Sequence, residues 1–76
     1  MDPLDRIVQS PDVMGGKPRI RGTRVTAGTV VGLLAAGRTA DDVLAAYPYL
    51  TRADIDAALA YAAWRSEEVE VTLRAA

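Results

Sequence analysis

The apolar positions change period twice along the chain, and each change predicts a different element. Ile7-Val8-Gln9 is a short β-prone piece, stopped by Ser10-Pro11. Pro11 to Gly16 is turn chemistry, with Gly15-Gly16 free to take positive φ. Pro18, Ile20 and Gly22 then alternate with Arg19 and Arg21, which predicts an extended segment with one apolar and one cationic side. It can pair with Ile7-Val8 as a small sheet, within one chain or between two. Two short strands alone are marginal, so they must pack on helices or on another protomer.

From Thr26 onward the pattern is helical. Thr26 is placed to cap a helix from about Ala27 to Ala36, with Val30, Val31 and Leu34 as its apolar face and Gly37 as its C-terminal stop. Thr39-Ala40-Asp41-Asp42 opens a second, short helix, with Asp42 as a shorter stand-in for the capping-box Glu. Val43, Leu44 and Tyr47 point to a core, and Pro48 ends the helix near Ala46. Thr51-Arg52-Ala53-Asp54 repeats the start signal. Ile55, Ala58, Leu59 and Ala62 then fall at i, i+3, i+4 and i+7, the apolar stripe of a third helix that continues through Trp64 to about Glu67. Val69, Val71 and Leu73 alternate with Glu70 and Thr72, which predicts an extended tail.

The predicted fold is mainly α: a three-helix core over residues 26–67, a β arm over 1–25 and a tail over 68–76. A short helix, a tight turn and a longer helix, preceded by another helix, is the layout of a helix-turn-helix. Many small three-helix domains share that layout, and the turn Pro48-Tyr49-Leu50 lacks the usual glycine. At 76 residues there is room for one small domain, which buries only about 60% of its unfolded surface. There is neither Cys nor His to supply a disulfide or a metal staple. Self-association or a permanent partner therefore becomes the expected source of stability, and a homodimer is expected. No apolar run approaches the roughly 18 residues of a membrane span, and no signal peptide is evident, so a cytoplasmic protein is expected.

Gly28, Gly32 and Ala36 recur every four residues on one face of the first helix, where the backbone is nearly bare. Each interior glycine costs about 1 kcal/mol against alanine, so a close approach by another segment is expected there. Internal packing between helices is the plainer reading, and a dimer seam is the alternative.

The net charge of −1 conceals an asymmetry: residues 1–38 carry six cations and three acids, residues 39–76 three cations and seven acids. Lys17, Arg19, Arg21 and Arg24 lie in a stretch without a single acid, so this end can face phosphates or a carboxylate-rich site. A solvated polar edge is the plainer role for these cations. Catalysis has little to stand on, because no His or Cys is present and the pairs Asp41-Asp42 and Glu67-Glu68 diverge on a helix. Gly16-Lys17-Pro18 is not a phosphate loop, since Ser or Thr must follow the lysine. No enzyme, cofactor or metal site is expected. Tyr47, Tyr49, Tyr61 and Trp64 could stack single-stranded bases, but Tyr47 and Tyr61 read more simply as core residues and Trp64 as interface cover.

The run Gly16-Lys17-Pro18-Arg19-Ile20-Arg21-Gly22-Thr23-Arg24-Val25 resembles the signature of a bacterial family known as domain of unknown function 433. The Leu33-Leu34-Ala35-Ala36-Gly37 helix end, Thr39 with Asp41-Asp42, Tyr47-Pro48, Leu50-Thr51, and Ile55, Ala58, Leu59, Tyr61 and Ala62 continue the similarity, which runs from about Ile7 to Trp64. The resemblance implies a homeodomain-like or winged-helix-like fold. It also implies an antitoxin of the VapB kind, encoded beside a toxin with a PIN-like nuclease fold and binding its own promoter DNA.

Such a nuclease presents clustered carboxylates that hold divalent metal, and a guanidinium can pair with a carboxylate bidentately and displace the metal. Arg19, Arg21 and Arg24 in the arm, or Arg74 in the tail, are the candidates. Val69, Val71 and Leu73 could instead add a strand to the toxin or to a second protomer, and a frayed terminus is the plain reading of the tail. Arg24 has a structural alternative, buried beside Gly22-Thr23. For DNA, Lys17 and the arm arginines would hold phosphates while Arg52, in the first turn of the third helix, reaches bases. Asp54 and Asp56 beside it repel phosphate unless one accepts a hydrogen bond from cytosine. Gly28, Gly32 and Trp64 complete the expected partner or dimer surface, an exposed Trp being a strong anchor.

Overall fold

The computed structural model describes residues 2–68. Two short strands, β1 (Ile7–Val8) and β2 (Arg19–Ile20), pair antiparallel with Ile7 opposite Ile20 and Val8 opposite Arg19. Three helices follow: α1 (Ala27–Ala35), α2 (Ala40–Ala46) and α3 (Arg52–Glu68). The chain is thus mainly helical with a small two-stranded sheet, and the sheet forms within one chain. A 3-10 turn at Pro3–Arg6 leads in, and a second at Met14–Gly16 carries the reversal between the strands. Gly15 and Gly16 take φ of 64° and 79° there, as the turn chemistry requires.

Each helix starts where a local side-chain bond replaces a missing backbone partner. Thr26 Oγ1 accepts from Thr29 N (3.1 Å). At α2, Thr39 Oγ1 accepts from Asp42 N (3.1 Å) while Asp42 Oδ2 accepts from Thr39 N (3.0 Å), a reciprocal capping box. Thr51 and Asp54 repeat it at α3: Asp54 Oδ2 accepts from Thr51 N at 2.8 Å, and Thr51 Oγ1 from Asp54 N at 3.3 Å. Helix α1 ends in a Schellman-type closure, with Gly37 at φ 93° and Arg38 N donating to Leu33 O.

The core draws on β2 and all three helices: Ile20 and Val25 from the arm, Ala27 and Val30 from α1, Val43 from α2, Leu50 from the connection, Ile55 and Ala58 from α3. Packing therefore does not stop at residue 25, because Ile20 is only 1% exposed and Val25 6%. The arm is one wall of the core. Val31, Leu34, Leu44, Tyr47 and Tyr61 pack against it from the edge.

Two expectations from periodicity need correction. The buried stripe of α3 is Asp54, Ile55, Ala57, Ala58 with Tyr61 at its margin, whereas Leu59 is 43% exposed. The helix is rotated from the expected setting, with Asp54 turned inward, where Arg6 Nη1 donates to its Oδ1 at 3.0 Å. The second correction concerns the small-residue face of α1. Gly28, Gly32 and Ala36 are exposed, and a Cβ built on either glycine would meet nothing within 4 Å. Among the described residues no helix packs there, so the internal-packing reading fails. Among the described residues, no helix is long and apolar enough to cross a membrane.

Candidate partner-binding surface

The basic arm is held at its base and open at its tip. Ile20 N donates to Val25 O (2.8 Å), Ala27 N to Pro18 O (2.9 Å), and Arg21 N to Arg6 O (2.7 Å). Thr23 closes the loop from inside: its Oγ1 donates to Ile20 O (2.8 Å) and accepts from Val25 N (3.0 Å). Burial of Ile20 and Val25 on either side fixes the loop to the core, so Arg21, Gly22 and Arg24 project into solvent from a rigid frame.

The four arm cations separate into two kinds. Arg19 folds back, its Nη1 donating to Thr23 O (3.3 Å) and Nη2 to Ser10 Oγ (3.4 Å), while its Nε is buried without a hydrogen-bond partner. It ties the strand reversal to the arm loop, although it also lines an open concavity beside Arg24. Lys17, Arg21 and Arg24 are exposed, and among the described residues no carboxylate pairs with them. The buried, structural alternative for Arg24 fails: the residue is exposed and, with Val13 and Tyr49, lines an open concavity of about 590 Å³.

Arg52 is exposed in the first turn of α3 as expected, but its Nε lies 3.6 Å from Asp56 Oδ1, and both side chains face water. An exposed i, i+4 pair is worth only a few tenths of a kcal/mol, yet it partly cancels the one cation on that surface of α3. Asp54, the other acid feared near a groove of DNA, is turned into the core.

A larger open groove of about 790 Å³ lies between the first turn of α1 and the C-terminal half of α3. Gly28 and Thr29 line it on the α1 side, Tyr61, Trp64 and Arg65 on the α3 side, and Lys17 with Pro18 at the arm. The rings of Tyr61 and Trp64 meet at 5.9 Å with a 50° tilt, and Trp64 is 44% exposed. Of the residues singled out from the sequence, the fold thus gathers Lys17, Gly28 and Trp64 into one groove, sets Arg21 and Arg24 on the loop tip, and leaves Gly32 on the open face of α1. Val69, Val71, Leu73 and Arg74 lie outside the described residues. Arg65 and Tyr61 join the groove beyond the residues the sequence singles out for a partner surface, and the spacing of Tyr61, Trp64 and Arg65 along a helix places them on neighbouring faces.

Tyr47 and Tyr61 pack at the core margin, while Tyr49 is 61% exposed and meets Tyr47 edge-on at 6.3 Å. Among the described residues, no group of three or more acidic, His or Cys side chains could hold a metal ion. The Asp42 carboxyl is held below the usual carboxylate range, first by the hydrogen bond from Thr39 N and then by that of the Thr39 hydroxyl. This is a helix-start effect.

The fold defines a class: a small, mainly helical domain whose Gly-rich basic arm is built into the core beside three capped helices. A family model described as "Protein of unknown function (DUF433)" matches residues 7–62, and the chain belongs to that family. The chain is similar to uncharacterized protein y4eO of Sinorhizobium fredii (strain NBRC 101917 / NGR234), 41% identical over 56 residues that make up 74% of this chain and 25% of that protein. It is also similar to the crystal structure of a DUF433 member protein from Anabaena variabilis ATCC 29413, with a TM-score of 0.78 and 38% identity, covering 83% of this chain and 62% of that one. This chain therefore spans about a quarter of the curated relative and less than two thirds of the solved one.

Proposed function

We propose that this protein is the antitoxin of a toxin–antitoxin pair, which binds and neutralises a PIN-like nuclease encoded beside it and also binds its own promoter. The resemblance of the Gly16–Val25 run to the family known as domain of unknown function 433, which implies an antitoxin of the VapB kind, motivates this reading. One structural observation carries it: Arg21 and Arg24 stand exposed and without carboxylate partners among the described residues, on a loop whose base is locked by buried Ile20 and Val25. A loop whose backbone is already fixed loses little backbone entropy on binding, and its guanidinium groups match the carboxylates of a metal-dependent nuclease bidentately.

The test is co-expression of this chain, tagged, with the protein encoded immediately beside it, then purification and light scattering. A stable complex, with the neighbour toxic alone and harmless together, supports the antitoxin reading. No complex and no toxicity refutes it.

Promoter binding rests on α2 and α3 acting as a helix-turn-helix, with α3 entering a groove and Lys17, Arg21 and Arg24 on phosphates. The Arg52–Asp56 pair on exposed α3 favours a second reading, an interaction module that never touches DNA. Titration of duplex DNA against salt separates the two. Affinity falling steeply with salt supports phosphate contacts, and no binding at low salt favours the module.

A further inference from the structure

The arm loop and the connection between α2 and α3 meet at the open concavity of about 590 Å³ beside Arg24. Val13, Arg19, Gly22, Thr23, Arg24 and Tyr49 line it, drawn from separate stretches of the chain, and no carboxylate is among them. Its walls are fixed by the fold. Thr23 holds the loop through its bonds to Ile20 O and Val25 N. On the other side, buried Leu50 follows Tyr49 and donates through its N to Tyr47 O at 2.9 Å.

Two guanidinium charges share this concavity without a counter-charge. Arg19 reaches only neutral acceptors, at 3.3 and 3.4 Å, and its Nε is buried without a hydrogen-bond partner. Arg24 is exposed, and among the described residues neither arginine lies within ion-pair distance of an acid. The Tyr49 hydroxyl and the N–H groups of Gly22 and Arg24 find no protein acceptor among the described residues either. Like charges lining one small space repel, and an anion bound there replaces that repulsion with attraction. A buried donor without an acceptor is a further feature that a bound ion accounts for.

Hydrogen-bond chemistry selects among anions. A carboxylate is planar, and one guanidinium fork satisfies its two oxygens. Two guanidiniums, a phenol and free backbone N–H groups offer more donors than a carboxylate can use, and they suit the tetrahedral oxygens of a phosphate. We propose that the concavity is a phosphate-binding site, in which Arg24 and Arg19 supply the charge and Tyr49 a neutral donor. This site goes beyond the antitoxin reading and requires neither a toxin nor a promoter, Arg24 being the residue they share. The phosphate belongs either to a nucleic-acid backbone or to a small phosphorylated compound.

The test is a titration of the isotope-labelled full chain with inorganic phosphate, followed by amide and arginine side-chain NMR at constant ionic strength. Saturable shifts should centre on Gly22, Arg24 and the Arg19 side chain. Arg24→Gln should keep the wild-type melting curve, since the residue is exposed and forms no ion pair among the described residues, and should weaken phosphate about tenfold or more, as for loss of a charged donor. Tyr49→Phe should weaken it about threefold, as for a neutral one. Arg38→Gln removes an equal charge from an exposed position away from the concavity and should leave phosphate affinity unchanged.

Shifts that never saturate, or an affinity that falls as much in Arg38→Gln as in Arg24→Gln, overturn the site in favour of general charge attraction. Acetate moving the same resonances with equal or higher affinity overturns phosphate in favour of a carboxylate. Where phosphate binds, two further titrations name its source. A short DNA duplex that shifts the same resonances, and binds more weakly to Arg24→Gln, assigns a nucleic-acid backbone. A deoxynucleoside monophosphate that saturates the site while the duplex leaves those resonances unmoved assigns a small phosphorylated compound; both results uphold the site. Co-expression with the neighbouring protein is read separately, so the antitoxin reading and the phosphate site can each fail alone.

Discussion

Arg6 and Asp54 lie 48 positions apart in the chain and meet in an ion pair of 3.0 Å between Nη1 and Oδ1. Asp54 also accepts from Thr51 N at 2.8 Å, so one carboxylate both caps α3 and anchors the N-terminal 3-10 turn. The Arg6 side chain is 49% exposed and that of Asp54 11%. The burden is unequal: Arg6 can return to water, while Asp54 cannot without rotating the helix.

That asymmetry predicts unequal mutants. Asp54→Ala should cost about 2 kcal/mol or more, combining loss of a helix cap with loss of a largely buried pair. Arg6→Ala should cost less than about 1 kcal/mol, since its partner keeps the Thr51 bond and its own charge is half-solvated. Chemical denaturation of the two single variants and the double variant measures both and their coupling. Equal costs would show that Asp54 acts only through Arg6.

The Asp42 cap carries a pH dependence. Its carboxyl is held below the ordinary range by hydrogen bonds from Thr39, so its contribution is fully present above the unfolded carboxylate pKa and is lost as pH falls through the lowered folded value. Melting curves of the wild type and Asp42→Ala should differ at neutral pH and converge in strong acid. A difference that persists unchanged at the acid end would sink the linkage.

Two glycines should respond with opposite signs. Gly32→Ala sits at an ordinary helical position with open space around it, and should raise stability by about 0.5–1 kcal/mol, several degrees in Tm. Gly37→Ala, at φ 93°, should lower it by about 1 kcal/mol. If Gly32→Ala lowers Tm in a concentration-dependent way, the bare face of α1 is a dimer seam.

The arm arginines should divide. Arg19→Ala removes the bonds to Thr23 and Ser10 and should lower stability by about 1 kcal/mol or more, because neutral acceptors in a half-buried site lose a charged donor. Arg21→Ala should leave the melting curve within about 0.5 kcal/mol of wild type while weakening partner binding, since the residue is exposed and forms no ion pair among the described residues. A large stability loss in Arg21→Ala would show that its guanidinium is structural too.

What the sequence determined by itself is local. Thr26, Thr39 with Asp42, and Thr51 with Asp54 mark three helix starts because the capping bond spans only three residues, and residue type and spacing are all it needs. The pairing of Ile7-Val8 with Arg19-Ile20 was legible for a similar reason, two β-prone pieces around a Gly-Gly reversal. The tertiary structure decided which faces turned inward. Arg19 and Arg21 are chemically equal and two positions apart, yet one is tied to Ser10 and Thr23 and the other stands in water. Leu59 is exposed and Ala57 buried in its place, a rotation of α3 that also brings Asp54 inward to meet Arg6. Lys17, Gly28 and Trp64 share a groove only because α1 and α3 cross where they do. Burial depends on the relative orientation of distant segments, and a one-dimensional pattern constrains that only through the energies of contacts it does not name.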